Sequence, residues 1–233
     1  MDKNITKLVE DVKKALGENL KAIIIYGSAA TGEVYKSSDV NTLMVMNTLD
    51  TDALKKISKP VESWVKRGQP IPLIFTMESM KASQDVFPLE FLDIKENHVV
   101  LFGEDVFNGM VISPANLRLE IERELKSKLI RLRQSFILTG GNEGKMKELL
   151  VRSFSTFIAL LKGSIRLYGK TAPSKKADII AAAPPELKLD KAIFMQVFSL
   201  KEEKAAMKSG ETEVLFGRYM AEIERIADII DKK

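Results

Sequence analysis

The first half of the chain alternates between helical spacing of apolar residues and short, continuous apolar runs. Ile5, Leu8, Val9, Val12 and Leu16 recur on one face of a helix, and Gly17 ends it. The run at 22–26 is rich in β-branched residues, which is typical of a buried strand. The pattern also predicts strands over 40–46, 71–76 and 98–102, and a helix over 52–65. These elements predict an α+β (α/β-type) domain with a small mixed β-sheet.

After Pro114 the pattern is helical throughout. Leu117, Ile121, Leu125, Leu129, Leu132 and Phe136 lie three or four residues apart, which predicts a long amphipathic helix that Gly140-Gly141 ends. Four more helices are predicted: one over 146–165, a short one capped by Ser174, one capped by Asp190 and running to about Met207, and one over 214–230. We therefore expect two domains, with an all-α helical bundle over 114–233 following the α+β domain over 1–113.

Composition excludes several kinds of chemistry. The chain has 233 residues, 45% of them hydrophobic and 29% charged, as in ordinary globular proteins. It contains no cysteine and a single histidine, His98, which excludes disulfides, thiol catalysis and His-rich metal centres. The N-terminus does not resemble a signal peptide, and nowhere do 18 apolar residues run together. We therefore expect a cytoplasmic protein that makes no use of a membrane.

Charge is distributed unevenly between the two halves. Residues 1–113 hold 13 Lys and Arg against 16 Asp and Glu, whereas 114–233 hold 23 against 16, giving −3 and +7 of the net +4. The excess of positive charge in 114–233 favours an anionic ligand near the second half. The first helix there carries six cations interleaved with glutamates: Arg118, Arg123, Lys126, Lys128, Arg131 and Arg133. Such mixing favours a solvated face with i,i+4 ion pairs, and an anion-binding wall is the alternative.

The segment 25–45 holds the residues with the clearest chemistry. A predicted strand ends at Gly27-Ser28, where glycine lets a ligand approach the backbone and the serine offers a hydroxyl. The following residues would open a helix whose free N–H groups favour a phosphate. Asp39 and Asn41 are two apart on the next strand, so their side chains share a face. Their oxygens are ligands suited to Mg²⁺ beside the phosphates.

This segment resembles the signature of the nucleotidyltransferase superfamily, which has the DNA polymerase β-like fold. Its members carry Gly-Ser and then, after a fixed gap, Asp-x-Asp or Asp-x-Glu; the matching residues here are Gly27, Ser28, Gly32, Ser38 and Asp39. The helical half is similar to the bundle of small bacterial members such as kanamycin nucleotidyltransferase and the MNT/HEPN proteins.

The resemblance implies a role for each matching residue. Gly27, Ser28 and Ser38 would bind a nucleoside triphosphate, Asp39 would bind Mg²⁺, and Asp39 and Asn41 would occupy the catalytic positions. In the family, two Mg²⁺ ions held by three carboxylates align the triphosphate and an acceptor hydroxyl for attack on the α-phosphate.

Three departures from the family pattern predict a degenerate site. Asn41 replaces the second carboxylate, Thr31 stands where many active members have an arginine, and the strand over 71–76 carries no third carboxylate. Glu78, just after that strand, is the alternative source of a third. Because phosphoryl transfer depends on charge stabilisation, losing two carboxylates should collapse the rate.

Three functions remain open from the sequence. The first is transfer of a nucleotide, bound as Mg-NTP in a cleft between the domains, to a small-molecule or protein hydroxyl. The second is a catalytically inactive nucleotide sensor or interaction protein that works with a protein partner or as a homodimer. The third, nucleic-acid binding through the basic bundle, is disfavoured by the modest net charge and the 7% aromatic content. Cleavage of RNA by an Arg and His pair, as in toxin-type members, is excluded because 114–233 contains no histidine.

Overall fold

The computed structural model describes residues 3–30, 39–204, 207–208 and 210–233. The chain divides into two compact units, Met1–Ile112 and Ser113–Lys233, called here the N-terminal and C-terminal units. Within the described part of the chain, no helix combines the length and the apolar character needed to cross a membrane.

The N-terminal unit is built on a four-stranded sheet. Its elements in chain order are α1 (Lys3–Leu16), β1 (Leu20–Tyr26), β2 (Asn41–Met46), α2 (Thr51–Val65), β3 (Leu73–Thr76), α3 (Met77–Ala82), α4 (Pro88–Glu96) and β4 (His98–Gly103). The strand order is β3-β2-β1-β4. β1 is antiparallel to β2 and β4, whereas β2 is parallel to β3. The predicted α+β fold with a small mixed sheet is confirmed.

Both faces of the sheet are buried, which explains the continuous apolar runs of β1 and β2. On one face Ile23 and Met44 pack with residues of α1 and α2, including Trp64. On the other face Ile24 and Leu43 pack with residues of α3, α4 and the segment after β4. The central strands are therefore fixed from two sides and provide a rigid base for the loops at their ends.

One polar group in this core lacks a hydrogen bond. Thr42 on β2 is only 2% exposed, and its hydroxyl meets no partner among the described residues. An unpaired buried hydroxyl costs free energy because it loses water and gains nothing in return. We expect Thr42→Val to raise the free energy of unfolding by about 1 kcal/mol. Urea unfolding, followed by the fluorescence of Trp64, the chain's single tryptophan, measures this free energy. Thr51→Val, at an exposed position, is the control. If Thr42→Val destabilised the protein instead, the Thr42 hydroxyl would have to have a hydrogen-bond partner.

The C-terminal unit is an all-α bundle, as predicted. Its helices are α5 (Pro114–Ile137), α6 (Glu143–Leu167), α7 (Lys176–Ala181), α8 (Lys191–Lys201) and α9 (Glu211–Asp231). α6 is the central helix and packs against all four of the others. Aromatic rings fill the core: the Tyr219 ring lies 5.8 Å from that of Phe157 and 5.2 Å from that of Phe194.

Two details of the predicted bundle are wrong. Ser174 does not cap the short helix, because α7 begins one residue beyond Lys175 and has no side-chain cap. Asp190 does cap α8 by accepting from the Ala192 N–H, but α8 ends at Lys201 instead of near Met207. Two residues beyond that end the backbone turns into the left-handed region at Glu203, which a helix cannot pass through.

Candidate functional site

A tight turn follows the end of β1 at Gly27 and Ser28. Gly27 has φ +75°, and its N–H donates to the Asn97 carbonyl at 3.0 Å, so the turn is tied to the residue before β4. The Gly27 carbonyl accepts from the Ala30 N–H at 3.0 Å and closes a 3₁₀ turn over Gly27–Ala29. A Cβ at Gly27 would meet only Asn41 Nδ2 at 3.5 Å, an ordinary contact. The positive φ is therefore what calls for glycine here.

The predicted pair Asp39 and Asn41 lies at the start of β2. Asn41 is the first residue of the strand and pairs with Tyr26 of β1, which places it beside the Gly27 turn. Asn41 is half-buried, whereas Asp39 is exposed. The backbone between them is held from outside the strand, because the Val40 N–H donates to Gln69 Oε1 at 2.8 Å. Asp39 and Asn41 are thus presented at the sheet edge on which the Gly27 turn lies.

Three strands contribute to this edge of the sheet. Tyr26 pairs with Asn41 on one side and with His98 of β4 on the other, so the three residues stand in one row across the sheet. Paired residues point to the same face, which is the face that α4 covers. Partial burial raises the pKa of the Tyr26 hydroxyl above its usual value, so this group stays neutral and can donate a hydrogen bond.

Carboxylates are sparse at this edge. β2 and β3 are parallel with Leu43 opposite Leu73, and continuing that register toward the strand starts places Ile71 opposite Asn41. Across residues 39–46 and 69–76, Asp39 is the sole carboxylate. No three His, Asp or Glu side chains within the described ranges group as a metal site would need. The donor set described here therefore does not fit the two Mg²⁺ ions that the resemblance implies.

Glu78 does not supply the missing charge. β3 ends at Thr76, which pairs with Met46 at the far end of β2, and Glu78 lies in the first turn of α3 beyond it. Five residues of extended strand separate Met46 from Asn41, a distance of about 16 Å. A metal bound at Asp39 is out of reach of the Glu78 carboxylate.

His98 has a structural role at the entrance to β4. Its Nδ1 lies 3.0 Å from the Ile94 carbonyl and 3.1 Å from the Lys95 carbonyl, at the end of α4. Nε2 lies 3.1 Å from Asp105 Oδ1. The side chain ties α4 to the turn after β4, and both ring nitrogens are occupied.

The structure brings together four of the five predicted site residues: Gly27, Ser28, Asp39 and Asn41 lie along one sheet edge. Ser38 lies outside the described residues, as do Thr31 and Gly32. Over the described part of the segment, a three-residue 3₁₀ turn replaces the predicted helix start after Gly27.

Two hydrogen bonds at the site were not predicted from the sequence. The Val40 N–H donates to the Gln69 side chain, and the Gly27 N–H donates to the Asn97 carbonyl. A lone glutamine and a backbone carbonyl leave no sequence signal.

Comparison with known proteins supports the fold but does not establish a reaction. No family model matches the sequence, and no curated protein matches it. Among solved structures, the chain is similar to the spectinomycin adenyltransferase AAD(9) from Enterococcus faecialis, crystallised with ATP and spectinomycin. The TM-score is 0.54, the identity 12%, and the match covers 95% of this chain and 98% of that one. The chain has the nucleotidyltransferase fold.

The similarity includes both units, because a match over 95% of the chain cannot be confined to either one. The resemblance drawn from the Gly27–Asp39 segment is therefore confirmed at the level of fold. At 12% identity a shared fold does not imply a shared activity, so the role of each candidate residue depends on its own position and contacts.

Proposed function

We propose that this protein binds a nucleoside triphosphate at the Gly27–Asn41 edge of the sheet and has lost efficient nucleotidyl transfer. The triphosphate would lie against the Gly27-Ser28 turn, with Ser38 completing the phosphate contacts. The structural neighbour was crystallised with ATP, which makes ATP the first nucleotide to test. In this proposal the protein acts as a nucleotide-responsive member of the fold.

Binding is supported by the geometry of the turn. A glycine at φ +75° directly after a buried strand leaves the backbone open to a ligand, because it has no side chain of its own to block the approach. The turn is also held in advance by the Gly27–Asn97 hydrogen bond. A turn fixed in this way loses little entropy when a phosphate binds.

The observation that carries the loss of transfer is the carboxylate count on the two parallel strands. Asp39 supplies one negative charge and Asn41 supplies none, and continuing the β2–β3 register beyond Leu73 leads to Ile71, which is 71% exposed. An asparagine can offer a carbonyl oxygen to a cation but cannot balance its charge. Transfer to an acceptor hydroxyl needs metal ions to stabilise the negative charge that develops in the transition state, and those ions need carboxylates to balance their own charge.

Thermal unfolding with each of ATP, GTP, CTP and UTP tests the binding part of the proposal. A nucleotide at about 100 times its Kd should stabilise the fold by about 2.7 kcal/mol, a rise of about 5–11 °C in Tm. Ser28→Ala should reduce the rise, whereas Ser58→Ala on the exposed side of α2 should not. The Tm of Ser28→Ala without nucleotide separates lost binding from lost stability. No rise with any nucleotide would contradict the proposal.

A further inference from the structure

A groove runs between α5 and α6 of the C-terminal unit. It consists of two adjoining cavities of about 190 Å³ each, which share Ser135, Leu149 and Arg152. The charged side chains that line it are Lys128, Arg131, Lys145, Glu148 and Arg152. Lys128 pairs with Glu124 at 3.3 Å, so the four cations and Glu148 leave a local excess of +2, within a unit of net charge +7 over 114–233.

Ion pairing separates Arg131 from the other cations of α5, because even Lys128, which also lines the groove, pairs with Glu124 at 3.3 Å. Arg118 and Lys126 share Glu122, at 2.8 Å and 2.7 Å, and Arg133 pairs with Glu224 at 2.7 Å. The Arg118 and Lys126 pairs confirm the predicted i,i+4 contacts, but the predicted solvated face is wrong, because the Glu122 side chain is only 18% exposed and Lys126 also pairs with Asp231 of α9 at 2.9 Å. Among the described residues, Arg131 has no acidic partner, and neither does Arg152 across the groove.

The groove also presents hydroxyl groups beside the cations. Ser135, Ser153 and Thr156 line it, and Ser153 donates its proton to the Leu150 carbonyl at 3.0 Å. Behind Ser153 lies Tyr219, which is fully buried; burial strongly raises the pKa of its hydroxyl, and that hydroxyl meets no partner in hydrogen-bonding geometry among the described residues. Ser153 therefore stands between an unsatisfied buried hydroxyl and the groove.

We infer that this groove binds a phosphate group of a small phosphorylated molecule. Two guanidinium groups from facing helices present planar pairs of donors, which match the oxygens of a phosphate. Ser135 and Thr156 supply neutral hydroxyl donors, and the small volume suits a phosphate with a short attached group rather than a whole drug-sized ligand. The inference does not rest on nucleotide binding at the N-terminal unit.

Titration of the full chain with inorganic phosphate, followed by amide chemical shifts in two-dimensional NMR, tests it. The amides of Ser135 and Ser153 should shift and saturate, and sodium acetate at equal ionic strength should not shift them. The shifts are assigned by residue, so phosphate bound at the Gly27 turn is recorded separately. Arg131→Gln with Arg152→Gln should raise the Kd at Ser135 and Ser153 by at least about tenfold.

A matched double variant controls for overall charge. Arg123→Gln with Arg133→Gln removes two cations from α5 outside the groove and should leave the Kd within about twofold. Equal weakening by both double variants would mean a diffuse response to positive charge, and would overturn the site. Shifts that never saturate would do the same.

Discussion

Asn41→Asp is expected to make ATP binding strongly dependent on Mg²⁺ and to raise the Mg-ATP affinity by at least about tenfold. The substitution places a second carboxylate at the first residue of β2, two residues from Asp39. Two adjacent carboxylates attract a dication, whereas in EDTA they repel each other, so the variant should also be less stable than wild type without metal. Isothermal titration calorimetry with Mg²⁺ and with EDTA measures the affinities, and thermal unfolding in EDTA measures the stability.

Two further variants sharpen this result. Asn142→Asp adds the same charge in the C-terminal unit and keeps the α6 cap, in which the Asn142 side chain accepts from the Lys145 N–H, so it should leave Mg-ATP affinity unchanged. Asn41→Asp with Ile71→Asp adds one carboxylate at the start of β2 and one just before β3, and should increase the Mg²⁺ dependence further. If Asn41→Asp behaves like Asn142→Asp, residue 41 is not a metal position and the site is degenerate for some other reason.

Gly103→Ala is expected to destabilise the N-terminal unit by at least about 3 kcal/mol. Gly103 ends β4 at φ +80°, and a Cβ there would lie 1.8 Å from the Lys21 carbonyl oxygen of the neighbouring strand. That oxygen belongs to the backbone, so β4 must move away from β1 to make room. Urea unfolding followed by Trp64 fluorescence should report the loss.

Gly109→Ala separates the steric clash from the cost of the backbone conformation. Gly109 has φ +75° in the same unit, but a Cβ added there would meet no described atom within 4 Å. It should therefore cost only about 1 kcal/mol, the usual penalty for alanine in the left-handed region. Equal losses for the two variants would show that β4 yields to the added methyl group at little cost.

The elements of the fold were largely predictable because their signals are local. The apolar run at 22–26 and the spacing of Leu117 to Phe136 depend only on neighbours in the chain, and both elements form where predicted. Ends were harder to predict. Helix α8 was predicted to run to about Met207, yet it ends at Lys201, because the sequence pattern does not show where the backbone leaves the helical conformation.

The site was predictable in its residues but not in its distances. Gly27 and Asp39 lie near the two ends of the segment between β1 and β2, and the sequence motif alone indicated that they belong to one site. Whether Glu78 could join Asp39 depended on β3 running parallel to β2, which puts its end beside Met46. Strand direction is a property of the whole sheet, and neither residue type nor spacing reports it.

The affinity of the wild-type protein for ATP, measured by calorimetry first with Mg²⁺ and then with EDTA, tests the central claim most directly. With Asp39 as the sole carboxylate over 39–46 and 69–76, we predict that ATP binds in both conditions and that the Kd changes by less than about tenfold. Binding that requires Mg²⁺, accompanied by release of pyrophosphate, would contradict this prediction, because a complete metal site would then have to exist in this protein.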